Sequence, residues 1–241
     1  MPPRLLHAAI IFLALGVGDC SPRAAEPTAP PHHHGRAPAE APPDRGRTPA
    51  ETMSYLGADW LTRPERIQEE QPDRMLDSLR VRRGMVVADV GAGVGYHAFR
   101  LSAKVGAEGR VYATDIQPEM LAMLRESAAK QGVTNVIPAL SGDTTTGLPK
   151  GAIDLALMVD VYHELSKPER FLDALKEALK PDGRLVLVEF RGEDPDVPIK
   201  EEHKMTAAQV IRELDTAGFV LVERHEFLPW QHILIFARKP D

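Results

Sequence analysis

Cysteine is almost missing from this chain: Cys20 is the only one in 241 residues. A lone cysteine excludes an intrachain disulfide and any cysteine-built zinc site. Positive charge is short as well. Twenty-nine Lys and Arg stand against 35 Asp and Glu, a formal balance of −6. Proteins that hold nucleic acid draw affinity from phosphate contacts and usually carry net positive charge, so nucleic acid is not an expected partner. Apolar runs are short too, none reaching the roughly 20 residues of a membrane-spanning helix. The remaining composition, 43% hydrophobic and 27% charged, is that of an ordinary globular domain with appendages.

Proline is plentiful but unevenly spread. Residues 21–50 hold eight of the 21 prolines and no Val, Ile, Leu, Met, Phe, Trp or Tyr. Such a stretch buries nothing that offsets its ordering entropy, so it reads as a disordered linker. Within it, His32, His33 and His34 form a solvated tract able to bind metal only weakly. Ahead of it, Arg4 and the apolar run Leu5–Gly18 have the make-up of a signal-peptide core. Cys20 follows, in a position that resembles the lipid-attachment cysteine of bacterial lipoproteins, although Asp19 stands where such signals carry a small residue. The expectation is a signal over 1–20, a linker over 21–50 and an exported protein with a membrane tether through Cys20. A cytoplasmic enzyme with an unused leader is the alternative.

Residues 51–241 alternate short apolar runs with amphipathic stretches. Strands are expected at Met85–Asp89, Val111–Asp115, Val136–Ala139, Ile153–Val159 and Leu185–Val188, with a closing pair over Phe219–Phe227 and His232–Ala237. Helices are expected at Tyr96–Val105, after Pro118, and after Ser166-Lys167-Pro168-Glu169, which has the capping-box pattern. Another should start at Thr206. Strand–helix alternation with near-continuous apolar strands means a parallel sheet covered on both faces. The last two strands are joined too briefly for a parallel crossover and must be antiparallel.

Between the first strand and its helix lies Asp89-Val90-Gly91-Ala92-Gly93-Val94-Gly95-Tyr96. A dinucleotide fingerprint would carry its third glycine at position 96, which is Tyr. The pattern instead resembles motif I of the class I S-adenosylmethionine-dependent methyltransferases. Asp115 ends the second strand, Gly142-Asp143 follows the third, Asp160-Val161-Tyr162-His163 follows the fourth, and Leu179–Leu185 resembles the family's lead-in to its fifth strand. The landmarks span about residues 75–240, and the pattern is similar to that of ubiquinone/menaquinone C-methyltransferases. The resemblance implies a Rossmann-like α/β domain: a seven-stranded, mostly parallel sheet with an antiparallel last strand and helices on both faces.

It also implies S-adenosyl-L-methionine as cofactor, a small-molecule methyl acceptor, and a set of site residues. Asp89, Gly91, Ala92, Gly93 and Gly95 belong to the cofactor loop. Asp115 is placed to accept the ribose hydroxyls and Asp143 to lie near the adenine amine, with Ile116 and Asp160 completing the set. His163 and Tyr162, just past the fourth strand, are the candidate catalytic residues, since open α/β sheets bind ligands at that edge and histidine titrates near neutrality. His97 and His203 are further candidates for contact with the methionine end or the acceptor, each with a plainer packing or solvated role beside it. The resemblance implies that Tyr55–Leu61 forms a helical lid over the acceptor, a structural helix capping the sheet being the alternative, and Trp230 is expected to pack in the hairpin or line the pocket. No metal ligands are assigned. A nicotinamide-dependent oxidoreductase shares the sheet and the acid, but Tyr96 and the antiparallel last strand disfavour it. A non-catalytic cofactor-binding protein would differ only in lacking turnover.

Overall fold

The structure, a computed structural model, describes residues 48–240. The expected signal over 1–20, Cys20, the histidine tract and nearly all of the expected linker lie outside the described residues. Thr48, Pro49 and Ala50, assigned to the linker from their composition, belong to the domain: Ala50 is buried and its N–H donates to the His163 carbonyl at 3.1 Å.

The apolar runs assemble as expected from their hydrophobicity. β1 (Val86–Val90), β2 (Arg110–Asp115), β3 (Val136–Leu140), β4 (Ile153–Val159) and β5 (Leu179–Arg191) are parallel. β6 (Lys204–Met205) adds a two-residue parallel pairing to the end of β5, too short to leave a sequence pattern. β7 (Phe219–His225) and β8 (Gln231–Arg238) form the antiparallel pair. β8 inserts between β5 and β7, giving the order β3-β2-β1-β4-β5-β8-β7. Val186, Leu187, Ile233, Leu234 and Ile235 are fully buried, as expected for strands covered on both faces.

Helices α1 (Arg66–Glu70) and α2 (Pro72–Ser78) precede the sheet, after a 3₁₀ segment over Tyr55–Thr62. α3 (Tyr96–Val105) and α4 (Pro118–Gln131) follow β1 and β2; α5 (Pro168–Ala178) and α6 (Ala207–Thr216) follow β4 and β6. One core joins α2, α3 and α4 to one sheet face through Met75, Leu76, Leu101 and Leu124. A second joins α5 and α6 to the other face through Phe171, Leu175, Val210 and Leu214. Thr206 caps α6 as its sequence predicts, accepting from the Gln209 N–H at 3.1 Å. The capping box expected at Ser166 does not form. Lys167 is the N-cap of α5 and makes no side-chain cap bond, and Pro168 at the first position has no N–H to cap.

The Ala50 bond sets a measurable boundary. A chain beginning at Glu51 loses one buried backbone hydrogen bond, about 0.5–1.5 kcal/mol, relative to one beginning at Thr48. It should melt roughly 2–4 °C lower in a thermal scan, the shift that ~1 kcal/mol makes in a domain of this size.

Candidate functional site

The sheet order places β1 between β2 and β4, so the chain reverses its direction of growth there. Ligands of open α/β sheets bind at such a switch point, beyond the carboxyl ends of the strands. A cavity of about 870 Å³ occupies that position. It is bounded by the ends of β1, β2, β4 and β5, by Glu51–Ser54 with Trp60 and Leu61, and by Pro198–His203. The expected lid therefore borders the cavity. The entry segment is latched to the β2–α4 turn: Gln117 donates to the Met53 carbonyl at 2.9 Å and accepts from the Tyr55 N–H at 2.8 Å.

The glycine loop lies across the end of β1. Gly91 and Gly93 have φ of 72° and 53°, and a Cβ on Gly91 would sit 2.4 Å from a methyl of Val161. Only glycine satisfies both the left-handed backbone and that approach. The N–H groups of Gly91 and Ala92 both donate to the Thr114 carbonyl at 2.8 Å. Asp115 fastens the loop further, accepting from the Gly93 N–H at 2.8 Å and from the Gln117 N–H at 2.9 Å. Burial raises its carboxyl above the ordinary range, against the lowering effect of these backbone donors. The Ile116 N–H adds a third backbone donor to this carboxylate, which also borders the cavity.

Asp89 lies at the bottom of the cavity, 2% exposed, and its Oδ2 has no hydrogen-bond partner. Burial pushes its pKa up to about 7, despite the nearby Arg66 guanidinium and the Ala98 N–H. Arg66 is itself buried, donating to Glu70 Oε2 at 2.7 Å and to the Leu61 carbonyl at 2.8 Å, with its guanidinium 4.3 Å from the centre of the Tyr96 ring. His97 borders the cavity, packed edge-on to Tyr96 with Nδ1 unpartnered. Burial, with Arg66 and Arg100 close by, holds it neutral, well below the usual histidine range. Asp160 adopts a left-handed φ of 54°, which Asp tolerates better than most residues, and accepts from Gln231 Nε2 at 2.8 and 3.0 Å. Burial, then Glu70 and Glu189, lift its carboxyl well above the ordinary range.

His163, Glu164 and His203 form another part of the cavity lining. His163 Nδ1 lies 2.6 Å from Glu189 Oε2, and its Nε2 lies 3.0 Å from His203 Nδ1. Burial alone would lower the His163 pKa, but Glu189, with Asp160 and Glu164, raises it above the ordinary value. Burial and the positive charge of His163 lower that of His203. Glu164, hydrogen-bonded to Thr52, is pushed by burial to about 7.

Tyr162 is corrected by the structure. It is fully buried and does not border the cavity; its hydroxyl donates to Glu213 Oε2 on α6 at 2.8 Å. The 3₁₀ turn after β4 sends Val161, His163 and Glu164 to the cavity and Tyr162 into the core. Asp143 and Ile116 border the cavity as expected, both exposed. Trp230 does not; it belongs to the β7–β8 hairpin. Arg66, Glu70, Glu164 and Glu189 were not singled out from sequence. Glu189 did leave a signal, a carboxylate inside the apolar run Leu185–Phe190.

Two outcomes follow from these environments. Tyr162→Phe removes a donor from buried Glu213 and should cost about 1–3 kcal/mol in a denaturant titration, without altering ligand affinity at the cavity. Asp89→Asn should raise the melting temperature at pH 8. The folded pKa of Asp89 lies above its unfolded value of 3.8, so its stabilising contribution is lost as pH rises from there through about 7. At ~1.4 kcal/mol per unit the penalty reaches a few kcal/mol. The gap between the two melting curves should therefore be widest at pH 8 and shrink steadily toward pH 4.

Comparison with known proteins agrees with this architecture. Residues 88–187 match the family model described as a methyltransferase domain. A crystal structure of a SAM-dependent methyltransferase from Aquifex aeolicus superposes with a TM-score of 0.73 and 30% identity, over 77% of this chain and 98% of that one. A protein-L-isoaspartate O-methyltransferase of Aeropyrum pernix is 37% identical over 120 residues, 47% of this chain and 42% of that protein. A ubiquinone/menaquinone biosynthesis C-methyltransferase of Idiomarina loihiensis is 30% identical over 117 residues, 48% of this chain and 46% of that protein. The chain thus spans about half the length of the curated relatives it matches. With the switch-point cavity, the glycine loop and the near-complete overlap with the Aquifex enzyme, the chain belongs to the class I S-adenosylmethionine-dependent methyltransferases.

Proposed function

We propose that this protein transfers a methyl group from S-adenosyl-L-methionine to a small-molecule acceptor. The observation that carries the reading is Asp89 Oδ2, buried beneath the glycine loop without a partner. A carboxylate costs heavily there unless a cation or donor meets it, and the cofactor's ammonium is such a group. The residues present fit the cofactor in other respects. Asp115 holds the loop while bordering the cavity, where its carboxylate can accept from the ribose, and exposed Ile116 offers an apolar surface for a flat base. Asp143, half exposed at the same end, would accept from the base's amine.

When bound, the cofactor supplies a methyl group activated on a sulfonium. The chain's own work is then to orient and to exclude water. Asp89 and Asp115 fix the two ends of the cofactor, and the Gln117 latch holds the entry segment over the cavity. Holding reactants in near-attack geometry can supply much of the acceleration. The His163–His203 wall receives the acceptor. A volume of about 870 Å³ suits the cofactor with a small acceptor beside it and lies within the range of small-molecule pockets.

Isothermal calorimetry with S-adenosylhomocysteine tests the reading, and a protein giving neither heat nor a thermal shift at millimolar ligand would overturn it. Asp115→Ala should weaken binding tenfold or more, since each charged hydrogen bond lost is worth about 1.5–3 kcal/mol. Unchanged affinity would remove Asp115 from the site.

A further inference from the structure

The His163–His203 wall has a composition that positioning alone does not require. Two imidazoles meet there nitrogen to nitrogen, and a carboxylate adjoins them. One ring nitrogen each of His163 and His203 and a Glu164 oxygen lie within 4.8 Å of one another, and His163 Nε2 is 3.0 Å from His203 Nδ1. Behind His163 stands Glu189, buried completely, its Oε2 2.6 Å from Nδ1. A proton on Nδ1, shared with that carboxylate, leaves Nε2 with its lone pair directed away from Glu189. A carboxylate behind an imidazole, bonded to the nitrogen away from the ion, is the usual outer support of a metal-bound histidine.

We propose that His163, His203 and Glu164 hold a divalent transition-metal ion, zinc in the first instance, with open coordination positions that take an oxygen of the methyl acceptor. Two nitrogens 3.0 Å apart, each about 2.1 Å from a shared ion, subtend roughly 90° at it. Opening the pair by a few tenths of an ångström gives the tetrahedral angle. A turn of the Glu164 side chain, now bonded to Thr52, brings in the third ligand. The donor set of two imidazoles and one carboxylate selects zinc or iron(II) over magnesium or calcium, which prefer all-oxygen shells. Three protein ligands leave positions open, the arrangement of catalytic rather than structural zinc. All three residues border the cavity, so those positions face the space left for the acceptor. The surrounding charge suits a dication: Asp160 and Glu189 lie close to His163, and Lys200 is the cation among the neighbouring cavity residues.

Binding of the ion stands on this geometry alone; its part in turnover rests on the methyl-transfer reading. An acceptor hydroxyl or phenol held by the ion loses its proton to solvent more readily. Its oxygen then forms the bond to the methyl carbon while the carbon–sulfur bond breaks, its electron pair staying on sulfur, which becomes a neutral thioether. The acceptor class is therefore one that presents an oxygen the ion can hold.

The test uses the full chain with His32, His33 and His34 replaced by Ala in every arm, so that the leader tract contributes no metal. After chelation and dialysis, titration with Co²⁺ or Zn²⁺ should load one ion per chain, and cobalt should give the visible spectrum of a nitrogen- and oxygen-ligated site. His203→Ala, at a half-exposed position, should weaken the ion at least about 100-fold, beyond the 10–100-fold that outer-shell changes cost. Glu189→Gln should weaken it 10–100-fold with S-adenosylhomocysteine affinity unchanged. Acetohydroxamate, a bidentate oxygen ligand, should shift the cobalt spectrum. No stoichiometric binding, or binding indifferent to His203→Ala, overturns the site; a spectrum unmoved by acetohydroxamate overturns the open positions. Calorimetry with S-adenosylhomocysteine on the same metal-free sample separates the two readings. Cofactor binding without metal binding sinks only the metal site, and metal binding without cofactor binding sinks only the methyl-transfer reading.

Discussion

Buried negative charge is the constraint around which this domain is organised. Four parallel strands deliver a carboxylate to the same edge of the sheet: Asp89 on β1, Asp115 on β2, Asp160 after β4 and Glu189 on β5. Carboxylates removed from water and set near one another must find donors, cations or protons. Each finds a different answer. Asp115 takes backbone N–H groups and thereby builds the glycine loop. Asp160 takes the Gln231 amide, which ties β4 to the reversed strand β8. Glu189 takes the Tyr162 N–H and the His163 ring, which shapes the turn after β4. Asp89 is left with an open oxygen, and that oxygen marks the ligand site. Binding and architecture are thus two uses of one group of charges.

Legibility in the sequence followed the strength of the local signal. The strands were readable because a sheet covered on both faces needs continuous apolar runs, and the glycine loop because positive φ and close approach exclude side chains. Asp115 was readable from its place at the end of β2. Tyr162 was misread because topology brings a whole segment to the carboxyl edge but does not say which residue of a tight turn faces inward. In the 3₁₀ turn the answer came from packing: the Tyr162 ring fills space beside α6, where Glu213 meets its hydroxyl. β6 and the missing cap at Ser166 failed for opposite reasons. Two residues carry no periodicity, while Ser166 and Glu169 matched a pattern whose register the helix does not follow, since Lys167 and not Ser166 is its N-cap.

Arg66 and Glu70 were invisible for a further reason. They are an i, i+4 ion pair on a short helix, which normally reads as a solvated surface pair. Here the pair is buried, 7% and 3% exposed, because α1 folds against Tyr96 at the start of α3. Its cost is offset by use: Arg66 also donates to the Leu61 carbonyl and tempers the charge of Asp89. A buried pair of this sort is poor evidence of stability and better evidence of positioning.

The two halves of the cavity differ in what carries them. The half with Asp89, Gly91, Gly93 and Asp115 rests on strand ends and a loop bonded to them, so its geometry is set once the sheet forms. The other half draws its lining from three segments outside the strands, 48–54, 162–164 and 198–203, of which Glu51–Ser54, His163, Glu164, Pro198–Lys200, Glu202 and His203 border the cavity. These segments hold one another. The Ala50 N–H bonds the His163 carbonyl, Thr52 bonds Glu164, and His163 meets His203. Any change in one is felt by the other two, whereas the glycine loop is insulated by its bonds to Thr114 and Asp115. Most of the first half lies within residues 88–187, while two of the three segments of the second lie beyond them. The matching family model therefore covers the cofactor half and leaves most of the acceptor half outside it. A chain can keep the first half intact and acquire a new acceptor by altering segments that lie outside the strands.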